Sequence, residues 1–503
     1  MRVGDDFGVP VDLMVSDSGP NRVLIVGSCL SQAWAEFIAQ PERNCVSDVF
    51  LLGFPLPEEP PRPFADYDFR LVQIPLRLVL PDLAFARLKH DDFSGYEALF
   101  AHCCGVIRNT LASAMSWRGG DGMLTFVVSF MVPLQNPMGR LMRRHDIRNL
   151  VYFVEKLNER LEAEAKRYTN TYLYDINQTV GLHGARYFKD EVSFAANHAS
   201  LLDDYDFGLD QGRMEPVLPA SAVYHLRVRE ILAAIWSDIC AMYRSVSQTD
   251  MVKMVVVDLD DTLWRGVAAD SLDHPLEARE GWPMGLWEAL AFLKQRGVLL
   301  GVISKNSDGQ IASLWGERLR GCMEMGDFSV RMINWRPKPE NMEAILRSTG
   351  LLASNVIYID DNPVERDALA RSFPGLRVLG GNPITWRRIL LWSSETQVSR
   401  VTAEAARRTD MVKAQVHREE QRSQLSREEF LASLGTQISF AIVADPADAA
   451  FGRCLELINK SPSGIIWFSD IAFGACGERT PSAGRRARCG SGIPSPWPTV
   501  GSG

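Results

Sequence analysis

Two carboxylates, Asp258 and Asp260, follow the apolar run Val255-Val256-Val257 with Leu259 between them. An apolar strand ending in Asp-x-Asp places both acids at its carboxyl tip, where open α/β sheets bind their ligands. One can attack a phosphorus centre and carry the phosphoryl group as an aspartyl-phosphate. The other can protonate the leaving group and later activate water. Three more segments follow in chain order. Gly301-Val302-Ile303-Ser304-Lys305-Asn306 runs a strand into the Ser304 hydroxyl and backbone N–H groups able to hold phosphate oxygens. Lys338, in Asn334-Trp335-Arg336-Pro337-Lys338-Pro339, offers a cation for the charge of a transferring phosphoryl group. Val356-Ile357-Tyr358-Ile359-Asp360-Asp361-Asn362 is a further apolar strand ending in acids. Asp258, Asp360 and the main-chain carbonyl of Asp260 make a hard oxygen set suited to Mg²⁺. Each segment alone has an ordinary explanation as a turn, a helix cap or a solvated lysine. Four of them, all at strand ends and in one order, argue for a single site.

The elements that must position these residues are legible as alternating runs. Strands are expected at 252–257, 298–303, 330–333, 356–359 and 376–379. Helices fall between them, at 286–296 before Gly297 and at 341–349 before Gly350, each closed by a glycine stop. The first half alternates in the same way, with strands at 23–27, 71–74, 124–132 and 171–176 and a helix over 146–166. Val228, Ile231, Leu232, Ile235, Ile239 and Met242 recur at helical spacing. The polar stretch 245–250 then reads as a boundary. Beyond Val401 a charged helical stretch over 404–422 leads into 430–443 and a helix up to Lys460. Residues 461–503, rich in Gly, Ser, Pro and Arg, are expected to be disordered.

At 503 residues the chain is too long for one core, and two or three domains are expected. Hydrophobic residues are 46% and charged residues 23%, the profile of a soluble globular protein. A net charge of −8 with interspersed signs argues against nucleic acid or an anionic membrane as partner. The longest strongly apolar stretch, 123–134, is too short to span a bilayer, and the acidic start Asp5-Asp6 is unlike a signal peptide. A cytoplasmic location is expected. Nine scattered cysteines without Cys-x-x-Cys suggest neither a disulfide framework nor a zinc site.

The four segments resemble the four motifs of the haloacid dehalogenase (HAD) superfamily. Asp-Leu-Asp-Asp-Thr-Leu-Trp, Ile-Ser-Lys-Asn, Asn-Trp-Arg-Pro-Lys-Pro-Glu-Asn and Ile-Asp-Asp-Asn-Pro-Val-Glu-Arg look like its FkbH-like branch, of subfamily IIIC. The resemblance implies nucleophile Asp258, acid/base Asp260, phosphate ligands Ser304 and Lys338, and magnesium ligands Asp258, Asp260, Asp360 and Asp361. Members usually carry Asn where this chain has Asp261 and Gly where it has Arg265. The implied reaction takes 1,3-bisphosphoglycerate, removes phosphate and loads a glyceryl unit as a thioester on an acyl carrier protein for polyketide-type biosynthesis. The intervals between Asp258, Ser304 and Lys338 leave no room for a large cap domain, so a carrier arm could enter.

Leu24-Ile25-Val26-Gly27-Ser28-Cys29 resembles the first block of SGNH-type hydrolases, which FkbH-like proteins carry in degenerate form. Active esterases of that type want Asp-x-x-His. Here His183 and His198 are preceded at that offset by Val180 and Ala195. Ser28 and Cys29 are therefore expected to cap a helix, and Cys103-Cys104 to serve packing.

The expected fold is α/β: a HAD-type Rossmannoid parallel sheet without a large cap, preceded by an SGNH-like α/β domain. The layout is 1–248 for the SGNH-like domain and 249–400 for the HAD-like catalytic domain. Residues 401–460 resemble the start of a truncated acyltransferase-like region, and 461–503 read as a tail translated from another frame. A small-molecule phosphatase, a carrier-binding assembly factor without activity and an esterase using Ser28 are the alternatives.

Overall fold

In the computed structural model the described residues are 8–16, 18–117, 120, 122–187, 208, 210–223, 225–270, 280–318, 323–401, 410 and 412. All belong to the first of the two units into which the chain divides, Met1–Leu425. The expectations for 404–422 (apart from Asp410 and Val412), 430–460 and 461–503, and for His198, lie outside the described residues.

Ten strands form two parallel five-stranded sheets. The first has the order β2-β1-β3-β4-β5: β1 Arg22–Gly27, β2 Val46–Leu51, β3 Phe69–Val72, β4 Thr125–Val128 and β5 Thr171–Tyr174. The second has the order β10-β9-β6-β7-β8: β6 Met254–Val257, β7 Leu299–Ser304, β8 Val330–Ile333, β9 Val356–Ile359 and β10 Arg377–Leu379. Their central strands are continuous apolar runs because helices cover both faces. Side-chain alternation divides each sheet between two cores. Val255, Val257, Val302, Ile357 and Ile359 enter one that also holds Trp264, Trp287, Trp315 and Trp386. Met254, Val256, Ile303, Val356 and Tyr358 enter the other.

The strands at 330–333 and 356–359 fall as expected. The expected strand 124–132 stops at Val128, because two asparagines replace the ladder beyond it. Asn158 exchanges hydrogen bonds with both backbone groups of Phe130, and Asn177 accepts from Val132 N and donates to Phe130 O. The expected strand 171–176 ends early because Asp175 accepts from Asn177 N and starts the helix Ile176–His183. β2 carries no strong apolar alternation and was not expected.

The stretch 245–250 is tied down on both sides. Helix Val228–Ser247 delivers Arg244, 4% exposed, to the carbonyls of Ser16 and Ser18 and to the carboxylates of Asp250 and Glu395. The amino-terminal stretch also reaches the second sheet, where Leu13 is fully buried and its carbonyl accepts from Arg377 Nε at 2.7 Å.

Candidate active site

The site lies at the carboxyl ends of β6, β7 and β9. Asp258 follows β6, Ser304 ends β7, and Asp360 follows β9. Lys338 opens the helix Lys338–Thr349, whose N-cap is Pro337. Pairing β6 between β7 and β9 in register carries acids that are distant in sequence to one edge.

Lys338 Nζ sits between two carboxylates, 2.8 Å from Asp258 Oδ2 and 2.6 Å from Asp360 Oδ2. All three residues are buried. The Tyr358 hydroxyl donates to the same Asp360 oxygen that Lys338 approaches, and Asn362 N donates to Asp360 Oδ1 at 2.8 Å. Asp258 Oδ1 accepts from Leu259 N at 2.7 Å. Burial lifts the Asp258 carboxyl to about 6, with Lys338 pulling it down and Asp360 pushing it up. Burial opposes the charge on Lys338, yet the two aspartates hold its ammonium above the ordinary value. Asp361 is also raised, by burial and then by Asp360 and Asp261.

Ligand oxygens of Asp258, Asp360 and Asp361 lie within 4.8 Å of one another. Three carboxylates against one lysine leave excess negative charge, and repulsion from Asp360 adds to the burial that raises the carboxyls of Asp258 and Asp361. A hard divalent cation, which takes oxygen ligands, fits this donor set and would relieve that repulsion.

The Asp260 carboxylate does not join that group. Oδ1 accepts from Trp264 Nε1 at 3.2 Å and Ala268 N at 2.9 Å, and Oδ2 accepts from Asn306 Nδ2 at 3.0 Å. The same Asn306 amide donates to Ser304 Oγ at 3.0 Å. Asn306 thus links the acid/base candidate to the hydroxyl that is the candidate phosphate ligand. Asn306 stands two residues beyond Ser304, on the same side of the strand line, and that spacing is its one signal in the sequence. Tyr358 has the same kind of signal, since its place two residues before Asp360 puts both on one side of the strand line. Thr262 accepts from Asp361 N at 3.0 Å, and Arg366 donates to the carbonyls of Asp360 and Asp361 at 2.6 and 2.7 Å. Asp261 is left-handed at φ 49° and accepts from Gly266 N at 2.7 Å. Asn and Asp are the residues that tolerate that conformation, so the Asp at this position preserves the turn.

Solved structures share this architecture. The α/β fold with its two parallel sheets is similar to that of a solved structure whose chain contains a phosphatase domain. The N-terminal part of the protein BF1531 from Bacteroides fragilis, containing a phosphatase domain and complexed with Mg, superposes with a TM-score of 0.53 at 17% identity. The match covers 76% of this chain and 94% of that one. The deoxy-D-mannose-octulosonate 8-phosphate phosphatase of Haemophilus influenzae, in a cobalt-bound form, aligns at 16% identity over 37% of this chain and 99% of its own, TM-score 0.21. Its counterpart from Moraxella catarrhalis, in complex with magnesium, phosphate and the sugar acid, aligns at 16% over 38% and 99%, TM-score 0.19. No protein-family model matches the sequence, and no curated protein matches it.

The remaining candidates belong to the elements that follow β1, β3 and β5 of the first sheet. Ser28 Oγ donates to Gln73 Oε1 at 2.7 Å, and Ser31 Oγ donates to the same oxygen at 3.1 Å. Cys29 is exposed at the first position of helix Cys29–Ile38. His183 ends its helix with burial lowering its pKa and Asp238 opposing the effect. Cys103 is fully buried and its thiol is pushed up to about 12 by desolvation, a packing residue rather than a nucleophile.

Proposed function

We propose that this chain is a magnesium-dependent phosphoryl-group enzyme that dephosphorylates 1,3-bisphosphoglycerate and loads a glyceryl unit onto an acyl carrier protein. The observation that carries the phosphoryl chemistry is the buried cluster of Asp258, Lys338 and Asp360 at the strand ends, with Asp361 within metal-sharing distance. Asp258, Asp360, Asp361 and the carbonyl of Asp260 would hold Mg²⁺. When bound, the ion polarises the phosphoryl oxygens and shields the attacking carboxylate from the charge it approaches.

The chain's own residues supply the rest. A carboxylate oxygen of Asp258 attacks the phosphorus of the 3-phosphate ester, and the bond to the glyceryl oxygen breaks. Asp260, aimed by Trp264, Ala268 and Asn306, gives that oxygen its proton. It then takes a proton from water, which opens the aspartyl-phosphate and frees phosphate. Lys338 and Ser304 hold the phosphoryl oxygens throughout. At the other end of the substrate, a carrier thiol displaces the acyl phosphate to give the thioester. The assignment of the first sheet to an SGNH-like domain, degenerate as a hydrolase, belongs to the same reading. The order β2-β1-β3-β4-β5 and the Ser28 turn support it.

The test is the intact mass of a phosphopantetheinylated carrier protein incubated with the chain, magnesium and enzymatically generated 1,3-bisphosphoglycerate. Asp258→Asn is the control. A glyceryl mass increment that the variant loses supports the proposal. Phosphate release that depends on Asp258 but leaves the carrier unmodified makes the chain a small-molecule phosphatase instead.

A further inference from the structure

Asp258, Lys305 and Asp360 are each the first residue after their strands, β6, β7 and β9. Val256, Ile303 and Tyr358, two residues earlier along each strand, all enter one core. Side-chain alternation therefore places Lys305 on the face that carries the two acids. The register sets Val257 beside both Val302 and Ile359, so Asp258 and Asp360 are level with Ile303. β7 runs on past that level, and Lys305 stands two residues, about 7 Å, farther out. Its Nζ meets Glu365 Oε1 at 2.6 Å. Glu365 belongs to the first turn of helix Pro363–Ser372, which follows β9. Because β6 lies between β7 and β9, the pair joins two segments across the end of the strand that delivers Asp258.

Stability does not account for this contact. The Lys305 side chain is 42% exposed, and an ion pair open to water adds little to folding. Lys338 is enclosed between Asp258 and Asp360, and Arg366 is occupied with the carbonyls of Asp360 and Asp361. Lys305 keeps an ammonium that an incoming ligand can reach. Its surroundings are otherwise acidic, with Asp361 exposed next to Asp360 and Glu365 at its own tip. A phosphate ester with its phosphorus at Asp258 extends outward past these acids. They repel a second anionic group on that ester unless a cation receives it. Lys305 stands at the level where that group arrives.

We propose that Lys305 is a specificity-determining residue, receiving a second anionic group, carboxylate or phosphate, carried on a short skeleton beyond the reacting phosphoryl group. Glu365 holds the ammonium in the free chain and yields it to the ligand's anion, whereas a neutral end leaves the pair closed. The assignment rests on the phosphoryl-transfer reading of the Asp258 cluster and adds the class of ester that the site selects.

Isothermal titration of the full chain in magnesium tests it with 4-phosphonobutanoate and 4-hydroxybutylphosphonate. Neither is an ester, so neither is turned over, and they differ only in a carboxylate against a hydroxymethyl group. The carboxylate compound should bind at least about tenfold more tightly. Lys305→Met should abolish that preference and leave the hydroxyl compound within about twofold of its parent affinity, which also shows that the variant is folded. Lys305→Arg should keep the preference, and Glu365→Gln, which removes the competing carboxylate, should widen it at least about twofold. Arg336→Met, at an exposed position on the loop after β8, should change it by less than about twofold. Equal affinities in the parent chain, or a preference that survives Lys305→Met, would overturn the assignment and leave the phosphoryl site standing. Failure of both compounds to bind would remove that site and this assignment with it.

Discussion

Replacing Lys338 by Met separates two roles that one ammonium performs. Its Nζ lies 2.8 Å from Asp258 and 2.6 Å from Asp360 and is 3% exposed, so its loss leaves two buried carboxylates facing each other. Removing one partner from a buried ion pair costs about 3–5 kcal/mol, and that deficit is expected at pH 8 without metal. The deficit depends on pH in a defined sense. The Asp258 carboxyl already titrates at about 6 when folded, against 3.8 as its ordinary value. A raised carboxyl binds its proton more tightly in the folded state. This group's contribution is therefore most favourable below 3.8 and is lost as pH rises through about 6, by about 3 kcal/mol in the parent chain. Without Lys338 the carboxyl rises further. The stability gap between parent and variant should then shrink as pH falls from 8 to 5. Metal binding should move the opposite way from catalysis. Deleting a positive charge beside a dication site should tighten magnesium at least about tenfold, while phosphate release falls at least about a hundredfold. Urea unfolding in chelator at pH 5, 6.5 and 8, magnesium calorimetry at pH 7.5 and a phosphate-release assay read these quantities. A deficit that does not change with pH, or magnesium binding that weakens, would refute the placement of Lys338 between the two acids.

Other perturbations test separate parts of the account. Magnesium at a hundred times its dissociation constant should stabilise the chain by about 2.7 kcal/mol at pH 7.5. Chelation should remove that gain, and it should fade below pH 6 as protons compete at Asp258 and Asp361; thermal denaturation at several pH values measures it. Asn306→Ala should lower turnover about tenfold to a hundredfold without changing the melting temperature by more than a few degrees. Asn306→Asp, which sets a carboxylate against Asp260, should move the pH–rate profile upward; an unmoved profile would separate Asn306 from the acid/base step. Arg244→Met should cost about 3–5 kcal/mol in chemical unfolding, since Glu395 is left buried and without its cation.

The sequence by itself determined which residues could do chemistry and that they stand at strand ends. Continuous apolar runs such as Val255-Val256-Val257 and Val356-Ile357-Tyr358-Ile359 permit buried parallel strands, and acids that follow such runs must emerge at the sheet edge. Boundaries were less legible wherever side chains replaced the ladder. Asn158 and Asn177 end β4 at Val128 through hydrogen bonds to a segment far away in sequence, which no local pattern announces. Only the tertiary structure decided how the site is wired. Strand order brings β9 beside β6, so Lys338 meets both Asp258 and Asp360, and Asp260 turns toward Asn306 rather than toward the other acids. The pair of Lys305 and Glu365 depended on it most, because its partners follow two strands that a third strand separates. Short-range preference sets what a strand or turn can be. Which turns face each other is set by packing over the whole sheet, and the charge balance of the site exists only after that packing is complete.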